Sequence, residues 1–145
     1  MVGVLILSHG NVAQAILASA RTIAGEMPDF EALALSWDGD LEEAQHKVRE
    51  ALRRLDRGEG VLILTDLFGA TPSNVAMSFR EAGSVEVICG VNLPMVVGLA
   101  CIKGRNVPLA EMAEWIRDRG RRSICSGKAC DGTNIVRNDD GRDKA

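Results

Sequence analysis

The chain has 145 residues, 46% of them hydrophobic and 26% charged, with a formal net charge of −3. That is the size of one domain around a single core, and the balance argues against a disordered chain and against a basic surface for nucleic acid. The opening MVGVLIL has neither a positive leader nor a small-residue cleavage site, so it reads as structure and not as a secretory signal.

In chain order, Val2–Leu7 is an apolar run that predicts a first strand. Val12, Ile16, Ala20 and Ile23 then recur every three or four residues and predict an amphipathic helix ending near Gly25. Phe30–Leu35 reads as a second strand. Leu41, Ala44, Val48, Leu52 and Leu55 trace a second helix, with Asp40 as its N-cap and Glu43 to Lys47 and Glu50 to Arg54 as i,i+4 pairs on its wet face. Val61–Leu64 predicts a third strand, Pro72–Arg80 a helix capped by Thr71, Val85–Val91 a fourth strand, and Pro94–Ile102 another helix opened by proline. Leu109, Met112, Ala113 and Ile116 mark a last helix closed by Gly120, and RRSIC at 121–125 is a candidate fifth strand.

From Gly127 onward apolar periodicity is weak, which divides the chain into a domain over 1–126 and a flexible polar tail over 127–145. The stretch from Val85 to Ile102 is apolar but broken by Glu86, Asn92 and Pro94, short of the roughly 20 apolar residues of a spanning helix, so a soluble cytoplasmic protein is expected. Cys89, Cys101, Cys125 and Cys130 show no C-x-x-C spacing, and no metal site is expected from them. Nothing in the sequence suggests a Cys125–Cys130 disulfide.

Strands alternating with helices predict an α/β fold, a doubly wound and mainly parallel sheet, because parallel strands need crossovers and these are right-handed. In the flavodoxin-like order 2-1-3-4, the first and third strands are neighbours at the point where the winding reverses, which is where such folds seat ligands. The first strand ends in Ser8-His9-Gly10 and the third in Thr65-Asp66, so this order brings His9 and Asp66 into one crevice. The segment LFGATPSN that follows adds a glycine turn, Thr71 and Ser73 at a helix start, where unpaired N–H groups and partial positive charge favour phosphate. An imidazole, a carboxylate able to fix its tautomer and helix-end hydroxyls suit a phosphohistidine. The expected arrangement puts Asp66 on Nδ1–H and the phosphoryl group on Nε2, with Gly10, Thr71 and Ser73 as phosphate-binding residues and no cofactor. His46, on the charged side of the second helix, serves as the internal contrast.

The strand end SHG, TDLFGATPSN after the third strand and GVNLPM after the fourth occur in an order and spacing that resembles the mannose-type enzyme IIA domains of the bacterial phosphoenolpyruvate-dependent sugar phosphotransferase system. The resemblance covers roughly residues 1–126. It implies that His9 accepts phosphate from the histidine-containing phosphocarrier protein and donates it to a IIB component, that Asp66 pairs with His9, and that the Thr71 hydroxyl reaches the phosphoryl group. It also implies a homodimer in which a short antiparallel fifth strand, here Arg121–Cys125, is swapped between subunits, and membrane contact only through a permease complex, in sugar uptake or in regulation. Two other readings use the same fold. A receiver-like domain would phosphorylate Asp66 but needs acidic magnesium ligands where Ser8 and His9 stand, and a non-enzymatic small-ligand module has neither a P-loop nor G-x-G-x-x-G here. A serine hydrolase lacks its G-x-S-x-G elbow.

Overall fold

A strand that is buried on both faces reads as a continuous apolar run, whereas a strand at a sheet edge keeps polar positions. GVLILSH and VLILT are runs of the first kind, and in the computed structural model they form the two central strands, β1 (Gly3–His9) and β3 (Val61–Thr65). They are flanked by β2 (Phe30–Leu35) and β4 (Val85–Cys89), which are largely half-buried. All pairings in this sheet are parallel, in the order β2-β1-β3-β4, as the sequence predicts. The structure describes residues 1–128 apart from Trp37 and Lys103, together with the backbone of 136–137 and 143–144.

Five helices cover the sheet: α1 (Val12–Ala24), α2 (Leu41–Leu55), α3 (Thr71–Ser78), α4 (Leu93–Cys101) and α5 (Leu109–Arg122). Side chains alternate across the central strands. Val4, Ile6, Leu62 and Leu64 pack with α1, α4 and α5, while Leu5, Leu7, Val61 and Ile63 pack with α2 and α3. Every one of these eight is at most 2% exposed, so the sheet between the two layers is dry. At about 1.5–3 kcal/mol for each large aliphatic side chain, this double burial fixes the register that carries the strand ends.

Several local expectations are corrected. The buried stripe of α1 is Ala13, Leu17 and Ala20, and Val12 and Ile23 are exposed: small residues let the helix approach the sheet closely, and the larger β-branched ones turn outward. On α2, Asp40 caps the helix by accepting the Glu42 N–H, and Glu43 pairs with Lys47 at 3.2 Å. Glu50 instead pairs with Arg53, because Arg54 reaches across to the carboxylate of Glu31 on β2 through two hydrogen bonds of 3.0 Å. The N-cap of α3 is Ala70 and not Thr71, which is the first helical residue and exposed. Asn92 caps α4, its side chain accepting the Met95 N–H.

Gly120 does not end α5. It lies inside the helix, where a Cβ would come within 2.6 Å of the Met95 sulfur, so it serves the close approach of α5 to α4. The segment Arg121–Cys125 forms no strand here. Arg121 and Arg122 complete the last turn of α5, Ser123 closes it by donating its hydroxyl to the Arg119 carbonyl at 2.6 Å, and 124–126 are irregular. Basic residues near a helix C-terminus are favoured by its dipole, and they extend the helix past the expected stop. The tail over 127–145 falls mostly outside the described residues. Of it, Val136–Arg137 and Asp143–Lys144 form a two-residue antiparallel ladder. Cys89 and Cys101 are free thiols, while Cys125 is disulfide-bonded, a pairing nothing in the sequence announces.

Candidate functional site

The register decides which side chains meet. Leu7 lies beside Thr65 across β1 and β3, so the residues that follow each, with one strand residue more on β1, emerge together at the carboxyl end of the sheet. There the His9 ring is brought onto Asp66: Nδ1 lies 2.9 Å from Oδ2, across 57 residues of sequence. The side chains are 19% and 17% exposed, sheltered but within reach of a partner.

Asp66 is fixed by backbone as well. Its Oδ2 also accepts the His9 N–H at 2.9 Å, and its Oδ1 accepts the Leu67 N–H at 2.7 Å. Burial raises the pKa of this carboxyl, but the N–H groups of His9 and Leu67 and the His9 ring together outweigh that, so Asp66 titrates below its ordinary value. It is therefore a carboxylate, an acceptor only, across the neutral range. Facing it, Nδ1 must carry the ring proton, which makes Nε2 the nitrogen with the nucleophilic lone pair in the neutral imidazole. A hydrogen bond to a charged group of this kind contributes about 1.5–3 kcal/mol.

The end of β3 is held from its other side too. The Gly90 N–H donates to the carbonyls of Thr65 and Asp66, and the Val91 N–H to that of Thr65, which is why β4 stops at Cys89 and not at Val91. Asn92 next links this corner to α5 by donating to the Gly120 carbonyl at 3.1 Å. Three of the sequence motifs thus converge: SHG supplies the ring, TDLFGATPSN the carboxylate, and GVNLPM the backbone that steadies it.

The remaining site candidates occupy the turn after β1 and the first turn of α3. Gly10 is exposed at φ 50°, a left-handed turn that links β1 to α1 and that a side chain would strain. Thr71 is exposed in the first turn of α3, a helix start with no side-chain cap. Ser73 is 1% exposed and its hydroxyl donates to the Ala70 carbonyl at 2.9 Å, so it closes the turn before α3. His46 is exposed on α2. Sequence reasoning gave Ser8 no role of its own beyond its place in the SHG strand end and its unsuitability as a magnesium ligand. Its side chain is fully buried and hydrogen-bonded on both sides of the Gly10 turn. The signal was a hydroxyl residue just ahead of a glycine turn that opens a helix. Leu67 and Phe68, 65% and 77% exposed, form an apolar rim beside Asp66 that the sequence reading also left without a role. Among the described residues, no group of three or more His, Cys, Asp or Glu side chains converges, and no helix is long and apolar enough to cross a membrane.

Comparison with known proteins agrees with the fold. Residues 3–116 match the family model described as PTS system fructose IIA component. The fructose-specific EIIA component of the phosphotransferase system of Bacillus subtilis is 29% identical over 129 residues, covering 87% of this chain and 88% of that protein. The mannose-specific EIIAB component of Escherichia coli is 28% identical over 129 residues, which are 88% of this chain but only 40% of that longer protein. Among solved structures, the mannose/sorbose specific IIA subunit of the phosphotransferase system from Enterococcus faecalis superposes with a TM-score of 0.76 at 28% identity, over 86% of this chain and 93% of that one. With the 2-1-3-4 sheet, the family match and these relatives in agreement, the chain belongs to the fructose/mannose enzyme IIA family, the phosphoryl-transfer components of the sugar phosphotransferase system.

Proposed function

We propose that this chain is a phosphohistidine carrier, accepting a phosphoryl group on His9 from the histidine-containing phosphocarrier protein and passing it to a IIB component. The observation that supports this most is the 2.9 Å contact between His9 Nδ1 and Asp66 Oδ2, made by a carboxylate that two backbone N–H groups also hold in place. In the step, the P–N bond of the donor's phosphohistidine breaks as His9 Nε2 forms its own bond to phosphorus. The donor imidazole leaves with the electron pair of the broken bond. The His9 ring gains positive character with its proton still on Nδ1, and the anionic Asp66 stabilises that charge. Reversal toward the IIB component returns the ring to neutrality. Asp66 aligns and compensates the ring and never carries phosphorus.

Gly10, in the turn after β1, and Thr71 and Ser73, in the first turn of α3, would bind the phosphoryl oxygens. The protein would act in the cytoplasm as a homodimer and would meet a membrane only through a permease complex. It needs no cofactor and no nucleic acid. Whether the relay ends in sugar uptake or in regulation depends on the IIB component it serves.

The chemistry of the modification tests this. Labelling with phosphoenolpyruvate, enzyme I and the phosphocarrier should give a phosphoprotein that survives base and is cleaved by acid. Cleavage by hydroxylamine and base would identify an acyl phosphate, and would move the modification to Asp66 as in a receiver domain.

A further inference from the structure

A histidine that receives a phosphoryl group must be held at two points: its ring, so that the right nitrogen faces the donor, and its backbone, so that the ring does not swing with the loop. Asp66 supplies the first. The second comes from Ser8, which falls in step with Val4 and Ile6 on the α1 side of β1. Its hydroxyl proton goes to the His9 carbonyl at 3.0 Å, and its oxygen accepts the Ala13 N–H at 2.7 Å. Ala13 is fully buried in the first turn of α1, and Gly10 turns the chain between them. The one hydroxyl therefore closes a small ring that contains His9 and the whole turn, and its single proton is committed.

The peptide planes on the two sides of His9 have different partners. The plane before it donates its N–H to Asp66, and the plane after it offers its carbonyl to Ser8. Rotating either one moves the other, because they share the His9 Cα. We propose that Ser8 is a positioning residue for phosphoryl acceptance, locking the strand-to-helix turn so that the His9 N–H and Nδ1 converge on one oxygen of Asp66. This rests on His9 being the phosphoryl acceptor, but the geometric half does not. Ser8→Ala leaves the His9 carbonyl and the Ala13 N–H without their shared partner and frees the turn, while Ser8→Thr keeps the hydroxyl.

The test compares wild type, Ser8→Ala and Ser8→Thr, with circular dichroism to establish folding and Ser8→Cys substituted if the alanine variant does not fold. Amide exchange and the nitrogen shifts of His9 are recorded first, since they need no phosphoryl donor. Protection of the His9 amide should fall about tenfold in Ser8→Ala and return in Ser8→Thr, and the ring should lose its single Nδ1–H tautomer. Then steady-state phosphorylation by the phosphocarrier should show a maximal rate about tenfold lower in Ser8→Ala with KM within about twofold, the pattern of misalignment and not of lost docking. Wild-type exchange, tautomer and rate in a folded Ser8→Ala overturn the proposal. A wild-type protein that takes no phosphoryl group, while the exchange and tautomer effects are present, overturns the carrier function and leaves the positioning role standing.

Discussion

The chain has two histidines, and they occupy opposite kinds of place: His9 at the crevice where β1 and β3 end, His46 on the outer face of α2. His46 belongs to a charged surface, with Glu43 and Lys47 paired beside it and solvent on its exposed side. His9 is sheltered, its backbone and ring bonded to one carboxylate and its following carbonyl to a buried hydroxyl. The residue type is identical. What differs is that the parallel sheet, through its register, places a carboxylate distant in sequence against the His9 ring.

The largest expected effect breaks this comparison if it fails. His9→Ala should abolish phosphorylation, a loss of at least about a thousandfold in rate as for removal of a nucleophile, whereas His46→Ala should label at the wild-type rate in the same assay. Equal loss in both variants would mean that placement carries no information.

Asp66→Asn sharpens the account with a smaller effect. An amide has one acceptor oxygen where the carboxylate has two, so either the His9 donors or the Leu67 N–H must face an NH2 group. Phosphoryl acceptance should slow by about 10- to 100-fold, consistent with misaligned, uncompensated chemistry, with the fold retained and stability reduced by about 1–3 kcal/mol. Transfer at the wild-type rate would remove Asp66 from the mechanism.

The smallest effect is in acid stability. The pKa of Asp66 is lower in the folded protein than in the unfolded chain, so the unfolded state takes up the proton first on acidification. The stabilisation it confers is complete above the unfolded value of about 3.9 and is lost as pH falls through the folded value. The gap in unfolding free energy between wild type and Asp66→Asn should therefore narrow as pH falls below about 4. A gap that widens in acid would contradict the lowered pKa.

Much of this was legible in the sequence because the central strands are buried on both faces. Uninterrupted runs such as VLIL in residues 4–7 and 61–64 announce parallel interior strands, and the alternation with helices then permits few topologies. The meeting of His9 and Asp66 followed from strand order alone. Less legible was whatever depends on which face of a helix approaches the sheet. Ala13 and Leu17 join the expected Ala20 at the core while Val12 and Ile23 are exposed, because the angle at which the helix meets the sheet and not hydrophobicity alone selects the stripe. Helix ends were blurred for a similar reason: Gly120 looked like a stop but is a packing contact with Met95, visible only once α4 lies alongside. Ser8 was given no role of its own because its hydroxyl works through the backbone of its neighbour, which no side-chain motif records.

The central claim is that Asp66 holds Nδ1 so that phosphorus goes to the other nitrogen. The most direct measurement is phosphorus–nitrogen correlation NMR on protein with 15N-labelled histidine, phosphorylated through the phosphocarrier and kept at alkaline pH. The account predicts one phosphorus coupled to Nε2 of His9. A phosphorus coupled to Nδ1, or bonded to no histidine nitrogen, would contradict it.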